Sequence, residues 1–174
     1  MILAIVAFIF FFNQKAEAPV VPGNKEPEVA ALPIQEGLPG KVEAKRQAIY
    51  RAALSRDYEK LAQEASPNLN YSFGGEYEGG FAGYMKLSEE TEGKSAFDII
   101  PILLKLPYAV KNNLYSWPSV FTIEPSKWTP EDVAMMKTFL TEKQIEDFRQ
   151  FGGYIYYRLG ITSAGEWTFY LAGD

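Results

Sequence analysis

The chain lacks both cysteine and histidine over its 174 residues. Thiol nucleophiles, histidine-based catalytic triads and zinc sites with Cys or His ligands are therefore excluded within this chain. Structural disulfides and lipid attachment to a cysteine are excluded on the same ground. An enzyme with this composition would depend on carboxylates, tyrosine, lysine or a cation held by oxygen ligands.

Two further absences narrow the ligand classes. No glycine-rich run ends in Lys-Ser or Lys-Thr, as phosphate-binding loops require, and the glycines at 74, 75, 79 and 80 do not form a dinucleotide fingerprint. The chain has 17 basic and 22 acidic residues without a basic block. We therefore expect no nucleic-acid partner. The sequence likewise indicates no cofactor, no metal site and no catalytic residue.

The first twelve residues, Met1 to Phe12, form an almost unbroken apolar run. A helix needs about 20 apolar residues to cross a bilayer, whereas about 7–15 suffice for a signal-peptide core. No positive charge precedes the run, and the candidate cleavage site Ala16-Glu17-Ala18 is followed by Pro19. We predict an uncleaved N-terminal anchor that holds the protein at the cell membrane, facing the extracytoplasmic side. The alternative is a cleaved signal and a secreted protein.

Residues 13–40 contain a recurring proline and show neither helical nor strand periodicity. Such a composition buries too little apolar surface to offset the entropy of ordering, which predicts a disordered, proline-rich tether. The alternative is that Val29 to Ile34 pack on the domain as an irregular arm. Residues 41–174 then suffice for a single domain.

The clearest structural signal in the sequence predicts a β-hairpin formed by residues 154–162 and 166–171. Ser163-Ala164-Gly165 is typical of a three-residue loop with glycine in the left-handed position. This loop places Thr162 opposite Glu166 and predicts an apolar face of three cross-strand pairs, namely Ile161 with Trp167, Leu159 with Phe169, and Tyr157 with Leu171. The opposite face then carries Tyr154, Tyr156, Arg158, Gly160, Thr168 and Tyr170.

The remaining domain is predicted to be mostly helical. Apolar spacing and capping residues indicate helices, with Asp57, Thr129 and Thr141 as N-caps and Gly152-Gly153 as the last stop. Pro101 requires its helix either to begin near Ile100 or to kink. The predicted helices span residues 41–56, 58–65, 81–90, 95–106, 131–140 and 142–151.

Two further segments read as extended. One is a strand at Asn70 to Phe73, and the other, Leu114 to Ile123, is interrupted by Pro118 and predicted to be an edge strand or a surface loop. Together these elements predict an α+β domain, with helices packed on a small antiparallel sheet that includes the C-terminal hairpin.

Two stretches resemble known proteins. Residues 46–74, RQAIYRAALSRDYEKLAQEASPNLNYSFG, are similar to the opening of NTF2-like (SnoaL-like) domains, where a long helix, a short helix and a strand begin a cone-shaped α+β fold. The closing residues are similar to the ends of small bacterial proteins that finish in Trp-x-Phe-x-x-Ala-Gly-Asp, which implies a bacterial extracytoplasmic domain. An NTF2-like domain continues with several long strands, whereas residues 81–150 of this chain are predicted to be mostly helical.

The candidate ligand-binding residues fall in two regions. A glycine-rich loop at 74–80 carries Glu76 and Glu78 beside aromatic residues, and the polar face of the hairpin presents tyrosines around one arginine. We predict a non-enzymatic binding module for a small molecule, an envelope polymer or a protein. The alternatives without a binding role are a loop that is simply solvated and a hairpin face that is covered by another element. The candidate residues are Tyr71, Glu76, Tyr77, Glu78, Tyr154, Tyr156, Arg158 and Tyr170.

The second hypothesis is a carboxylate-dependent hydrolase or isomerase with an internal pocket, as the NTF2-like resemblance implies. Two carboxylates about 5–10 Å apart support glycosidic-bond hydrolysis, and an acid desolvated by apolar neighbours is suited to general acid catalysis. The candidates are Glu76 with Glu78, Asp174, and Asp98 at the start of an apolar helix. Trp117 and Trp128 are further candidates for stacking on sugars, although aromatic residues at this density are usually core, as expected for Trp167.

Overall fold

The computed structural model describes residues 31–75 and 77–173 and has a mixed α+β architecture. The α+β class and the C-terminal hairpin are confirmed, although the first strand of the hairpin begins at Arg158 instead of Tyr154. No helix within this part of the chain is both long and apolar enough to cross a membrane. The predicted anchor at 1–12 and most of the predicted tether lie outside the described residues. The helices are α1 (Gly40–Leu54), α2 (Tyr58–Gln63), α3 (Gly80–Glu92), α4 (Ala96–Leu103), α5 (Pro130–Met136) and α6 (Glu142–Phe151), and the strands are β1 (Ala65–Asn70), β2 (Ala109–Lys111), β3 (Leu114–Trp117), β4 (Arg158–Thr162) and β5 (Trp167–Leu171).

The five strands form one sheet in the order β1-β5-β4-β3-β2. Neighbouring strands are antiparallel except β1, which runs parallel to β5 and makes the sheet mixed. β1 begins at Ala65, so the strand predicted at 70–73 is placed too late. Pro67 is compatible with β1 because β1 is an edge strand of the sheet that the described residues form.

Residues 114–117 form a strand that ends before Pro118, as predicted, but the expectation that it is an edge strand is wrong. β3 lies inside the sheet, paired with β4 on one side and with β2 on the other. Asn112 and Asn113 adopt positive φ angles of 52° and 62°, which suits the tight turn that joins β2 to β3. Asparagine tolerates this left-handed conformation better than most residues, so the turn creates a hairpin that the sequence analysis did not include.

The C-terminal hairpin has the predicted turn. Gly165 has φ 86°, and its N–H donates to the carbonyl of Thr162 at 2.8 Å. The N–H of Thr162 donates to the carbonyl of Glu166 at 2.9 Å, and Ile161 is paired with Trp167. The register next to the turn is therefore confirmed.

Farther from the turn the predicted register is wrong, because β5 contains a bulge at Thr168. Gly160 is paired with Phe169 instead of Thr168, and the Thr168 hydroxyl donates to the Gly160 carbonyl at 3.3 Å. The predicted pairs Leu159 with Phe169 and Tyr157 with Leu171 are replaced by Leu159 with Tyr170 and Arg158 with Leu171. The extra residue moves Phe169 to the Gly160 face of the ribbon and Tyr170 into the core.

The predicted helix ends are largely confirmed. The Asp57 carboxylate accepts from the backbone N–H of Glu59 and Lys60, and Thr129 and Thr141 each form a capping box. Gly152 ends α6 in the left-handed conformation. α4 begins at Ala96 and continues through Pro101, which rules out a start near Ile100.

Two apolar clusters stabilise the fold. The larger contains Trp117 and Trp167, both fully buried, and residues of α1, α3, α4 and the sheet. The smaller is built mainly from α5, α6 and the segment before β4, with Val120, Met136, Leu140, Ile145, Phe148 and Tyr154 buried in it. This second cluster positions the chain that leads into the hairpin.

Residues 31–39 follow the arm alternative rather than the tether. Leu32 is only 3% exposed and belongs to the larger core cluster. Its backbone N–H and carbonyl both bond to the Gln47 side chain on α1, at 3.0 and 2.9 Å. One buried leucine and these paired hydrogen bonds order a segment that composition alone assigns to a disordered tether.

Candidate binding surface

The loop between β1 and α3 carries aromatic side chains near the protein surface. Phe73 is 57% exposed, and Tyr71 and Tyr77 are each partly exposed. Glu78 is exposed, while Glu76 lies outside the described residues. We call Tyr71, Phe73 and Tyr77 the loop aromatics.

Glycines allow this loop to lie against the start of α3. A Cβ atom on Gly83 would lie 1.8 Å from the carbonyl oxygen of Glu78, so no larger residue fits there without moving the backbone. Gly79 and Gly80 both have positive φ, at 77° and 58°. A structural requirement therefore explains these glycines, because they allow the loop backbone to lie close to the helix.

Ring contacts hold two of the loop aromatics in place. The Tyr71 ring centroid lies 5.4 Å from those of Phe81 and Tyr84 on α3. Tyr77 packs edge-on against Tyr84 at 5.1 Å and lies 6.1 Å from Tyr71. These separations are typical of attractive aromatic pairs, so Tyr71 and Tyr77 are held in place against α3.

The aromatic packing continues from Tyr84 into the core. Burial raises the pKa of Tyr84, and the nearby Tyr157 raises it further. The Tyr157 hydroxyl lies 3.2 Å from the Ser88 hydroxyl, and its ring stacks on Tyr170 at 5.1 Å. The floor of the site is therefore aromatic and continuous with the core.

Arg158 connects the loop to the hairpin. Its guanidinium carbon lies 5.8 Å from the Phe73 ring centroid and 4.9 Å from that of Phe121, both within cation–π range. One of its nitrogens donates to the Gly173 carbonyl at 2.9 Å. The structure thus brings Arg158 next to Phe73, which directly precedes the glycine-rich loop and which the sequence analysis did not select.

The three hairpin tyrosines do not join this surface. Tyr154 is 4% exposed and donates to the Tyr157 carbonyl at 3.0 Å, and Tyr170 is 1% exposed in the core. Tyr156 is half-buried and lines a small crevice with Phe139 and Ile102. Tyr154 and Tyr156 precede β4 and pack on Phe148 and Phe139, while the bulge in β5 places Tyr170 in the core.

Asp98 lies at the surface, so the expectation that the apolar helix desolvates it is wrong. Its side chain is 64% exposed and is paired with Arg56 at 2.7 Å. Arg56 also approaches Glu89, which accepts hydrogen bonds from Ser95 at 3.0 Å and from Tyr58. Burial, with a contribution from Glu89, raises the pKa of Tyr58 to about 12.

The sequence analysis missed this network because its members come from separate elements and no spacing links them. It joins the α1–α2 turn to α3 and α4, which is a structural role. Asp174, another proposed acid, lies outside the described residues. Within residues 31–75 and 77–173, no cluster of three acidic side chains is placed to hold a metal ion.

An open surface groove of about 380 Å³ lies beside α5 and α6. Trp128 lines it, with its ring nitrogen donating to the Ile123 carbonyl at 3.1 Å. Two cations also line it, but each is paired, Lys137 with Glu142 at 2.7 Å and Arg149 with Glu146 at 3.6 Å. Both cations that line the groove are therefore already paired with acidic side chains. The loop aromatics instead expose the ring of Phe73 to solvent.

Comparison of the chain with protein-family models, with curated proteins and with solved structures found no match.

Proposed function

We propose that this protein is a membrane-tethered, extracytoplasmic binding module that contacts a protein partner through the loop aromatics. The observation that carries this proposal is the exposure of Phe73, 57%, with its ring centroid 5.8 Å from the guanidinium of the buried Arg158. Tyrosine, phenylalanine and arginine are enriched at the energetic centres of protein interfaces. The tether is supported by the apolar run at residues 1–12 and the proline-rich segment after it.

A protein partner fits this surface better than a small molecule does. Small ligands are usually enclosed, with about 70–90% of their surface buried in a concave site. Phe73 instead keeps more than half of its surface in solvent, while Tyr71 and Tyr77 are fixed by neighbours. A rigid, partly apolar surface of this kind favours a broad contact with another folded surface.

The enzyme alternative has lost its main support. It depends on an acid in an apolar environment, and Asp98 instead pairs with Arg56 in solvent. The other named acids are Glu78, which is exposed, and Glu76 and Asp174, which lie outside the described residues. We therefore favour binding without catalysis.

Photo-crosslinking in cells that produce the full chain tests this proposal. A photoreactive phenylalanine analogue replaces Phe73 in one variant and Phe151 in a matched control, since Phe151 is 52% exposed on α6. We expect a discrete protein adduct from position 73, absent from position 151 and reduced when Tyr77→Ala is added. The same adducts from both positions, or none from position 73 in a membrane-associated chain, would contradict the proposal.

A further inference from the structure

The N-terminal arm, residues 31–37, lies in a groove built from α1, the chain after α4 and the β2–β3 hairpin. The Gln47 carboxamide forms paired bonds with the backbone of Leu32, accepting from its N–H at 3.0 Å and donating to its carbonyl at 2.9 Å. This pairing resembles the contact that a neighbouring strand makes. The domain therefore binds the arm through the backbone of the arm, as it would bind a separate peptide.

Buried and half-buried side chains continue this contact along the arm. Arg46 is 1% exposed and donates to the Pro33 carbonyl at 3.0 Å, while Glu43 accepts from the same guanidinium at 2.9 Å. The Tyr108 hydroxyl donates to the Glu36 carbonyl at 2.8 Å. We call the set of Arg46, Gln47, Tyr108 and Trp117 the arm groove.

Two arm side chains supply the selectivity. Leu32 is buried in the core, and Gln35 both donates to the Leu106 carbonyl at 2.7 Å and accepts from the Trp117 ring nitrogen at 3.0 Å. Ile34 is 82% exposed. The groove therefore selects leucine and, three residues later, glutamine, in the manner of sites that bind extended peptides through the backbone and alternate side chains.

The arm is joined to α1 by a short turn. The Leu38 N–H bonds weakly to the Gln35 carbonyl at 3.4 Å, and Gly37 has φ 80°. If this turn opens, all the arm contacts described above can form again with the same atoms in another copy. Exchange of an identical element between copies is a low-cost route to a dimer for this reason.

We propose that the arm groove is a peptide-binding site that takes the arm of a second copy of this chain in place of its own. The two arrangements share their contacts, so the protein concentration decides between them. A tethered arm competes at an effective concentration of about 1 mM for a short flexible link. The inference rests on the arm contacts alone and is independent of the loop aromatics and the anchor.

Complementation between two full-length variants tests the exchange. The acceptor carries Leu32→Asp with Gln35→Ala, which disables its arm and leaves its groove intact. The donor carries Gln47→Ala with Tyr108→Phe, which weakens its groove and leaves its arm intact. Native mass spectrometry should detect a mixed dimer at protomer concentrations up to about 1 mM and no dimer of either variant alone.

Circular dichroism establishes that both variants are folded before they are mixed. If one variant does not fold, two wild-type preparations with different tags, mixed at the same concentration, replace the pair and should yield a dimer that carries both tags. The proposal is wrong if folded partners remain monomeric in these mixtures. It is also wrong if the mixed dimer persists when the donor's own Leu32 and Gln35 are changed as in the acceptor.

Discussion

Removing the hydroxyl of Tyr170 should stabilise the protein. Among the described residues this hydroxyl has no hydrogen-bond partner, although the side chain is 1% exposed. The ring itself is well packed, stacked on Tyr157 at 5.1 Å and edge-on to Phe81 at 5.9 Å. A buried, unpartnered polar group costs about 1–3 kcal/mol, so Tyr170→Phe should raise the free energy of unfolding by about 1 kcal/mol.

Tyr157→Phe is the matched control. Tyr157 is 2% exposed, but its hydroxyl has a partner, the Ser88 hydroxyl at 3.2 Å. Its loss should lower the free energy of unfolding by about 0.5–1.5 kcal/mol. Urea unfolding followed by circular dichroism compares the two variants, with an unchanged slope required for the comparison to be valid. If Tyr170→Phe destabilises the protein as much as Tyr157→Phe does, the argument from the unpartnered hydroxyl is wrong.

The same pair predicts a difference at alkaline pH. Burial raises the pKa of Tyr170 well above its ordinary value, which is about 10 in an unfolded chain. Above that pH the unfolded chain releases this proton while the folded chain keeps it, so stability falls as pH rises, by about 1.4 kcal/mol per pH unit for such a group. Stability measured between pH 9 and 11 should therefore fall less steeply for Tyr170→Phe than for the wild type. Equal dependence of stability on pH in the two proteins would show that Tyr170 ionises as easily in the folded protein as in the unfolded chain.

Two other predictions follow from the fold, and a third follows from the apolar run at residues 1–12. Trp167→Ala should cost about 3–5 kcal/mol in urea unfolding, because the side chain is fully buried, and a cost below about 1 kcal/mol would be incompatible with this position. Gly160→Ala places a Cβ 2.1 Å from the Phe169 ring and should lower the free energy of unfolding by about 1–3 kcal/mol. Adding Phe169→Ala to the same chain should largely relieve this clash. No loss of stability from Gly160→Ala alone would argue against the bulged register. Deleting residues 1–12 should move the protein from the membrane fraction to the soluble fraction, and recovery of the full-length chain in the soluble fraction would contradict the anchor.

Local signals in the sequence were sufficient for much of the secondary structure. Capping boxes at Thr129 and Thr141 and the left-handed glycines at 152 and 165 each involve residues within a few positions of one another. Their physical cause is contained in the segment that shows them. Helix ends and the hairpin turn are therefore predictable without knowledge of the tertiary structure.

The register of the hairpin depends on more distant contacts. Strict alternation places Tyr170 on the polar face, whereas the extra residue at Thr168 moves it to the core beside Leu159. Alternation alone contains no signal for such a bulge, because its effect depends on what packs against each face. A missed bulge exchanges the faces of the residues beyond it, and Tyr170 was misplaced in this way, whereas Tyr154 and Tyr156 were misplaced because they precede β4.

The candidate surface was predictable in part. Tyr71 and Tyr77 were selected because they lie in or near the glycine-rich loop, and both are partly exposed beside α3. Phe73, at the end of the predicted strand, was not selected. Its proximity to Arg158 joins parts of the chain that are far apart in the sequence.

The arm illustrates the same limitation. Proline content predicts disorder for residues 13–40, but Leu32 and Gln35 meet partners on α1 and β3 that only the folded domain brings together.

The affinity of the partner captured through position 73 tests the central claim most directly. Calorimetry should compare the wild type with Phe73→Ala and with Phe151→Ala, two aromatic residues of similar exposure, 57% and 52%. A residue at the energetic centre of an interface contributes at least about 2 kcal/mol, so Phe73→Ala should weaken binding about 30-fold while Phe151→Ala changes it less than about 2-fold. Equal effects of the two substitutions, or no effect of Phe73→Ala in a stably folded chain, would contradict binding through the loop aromatics.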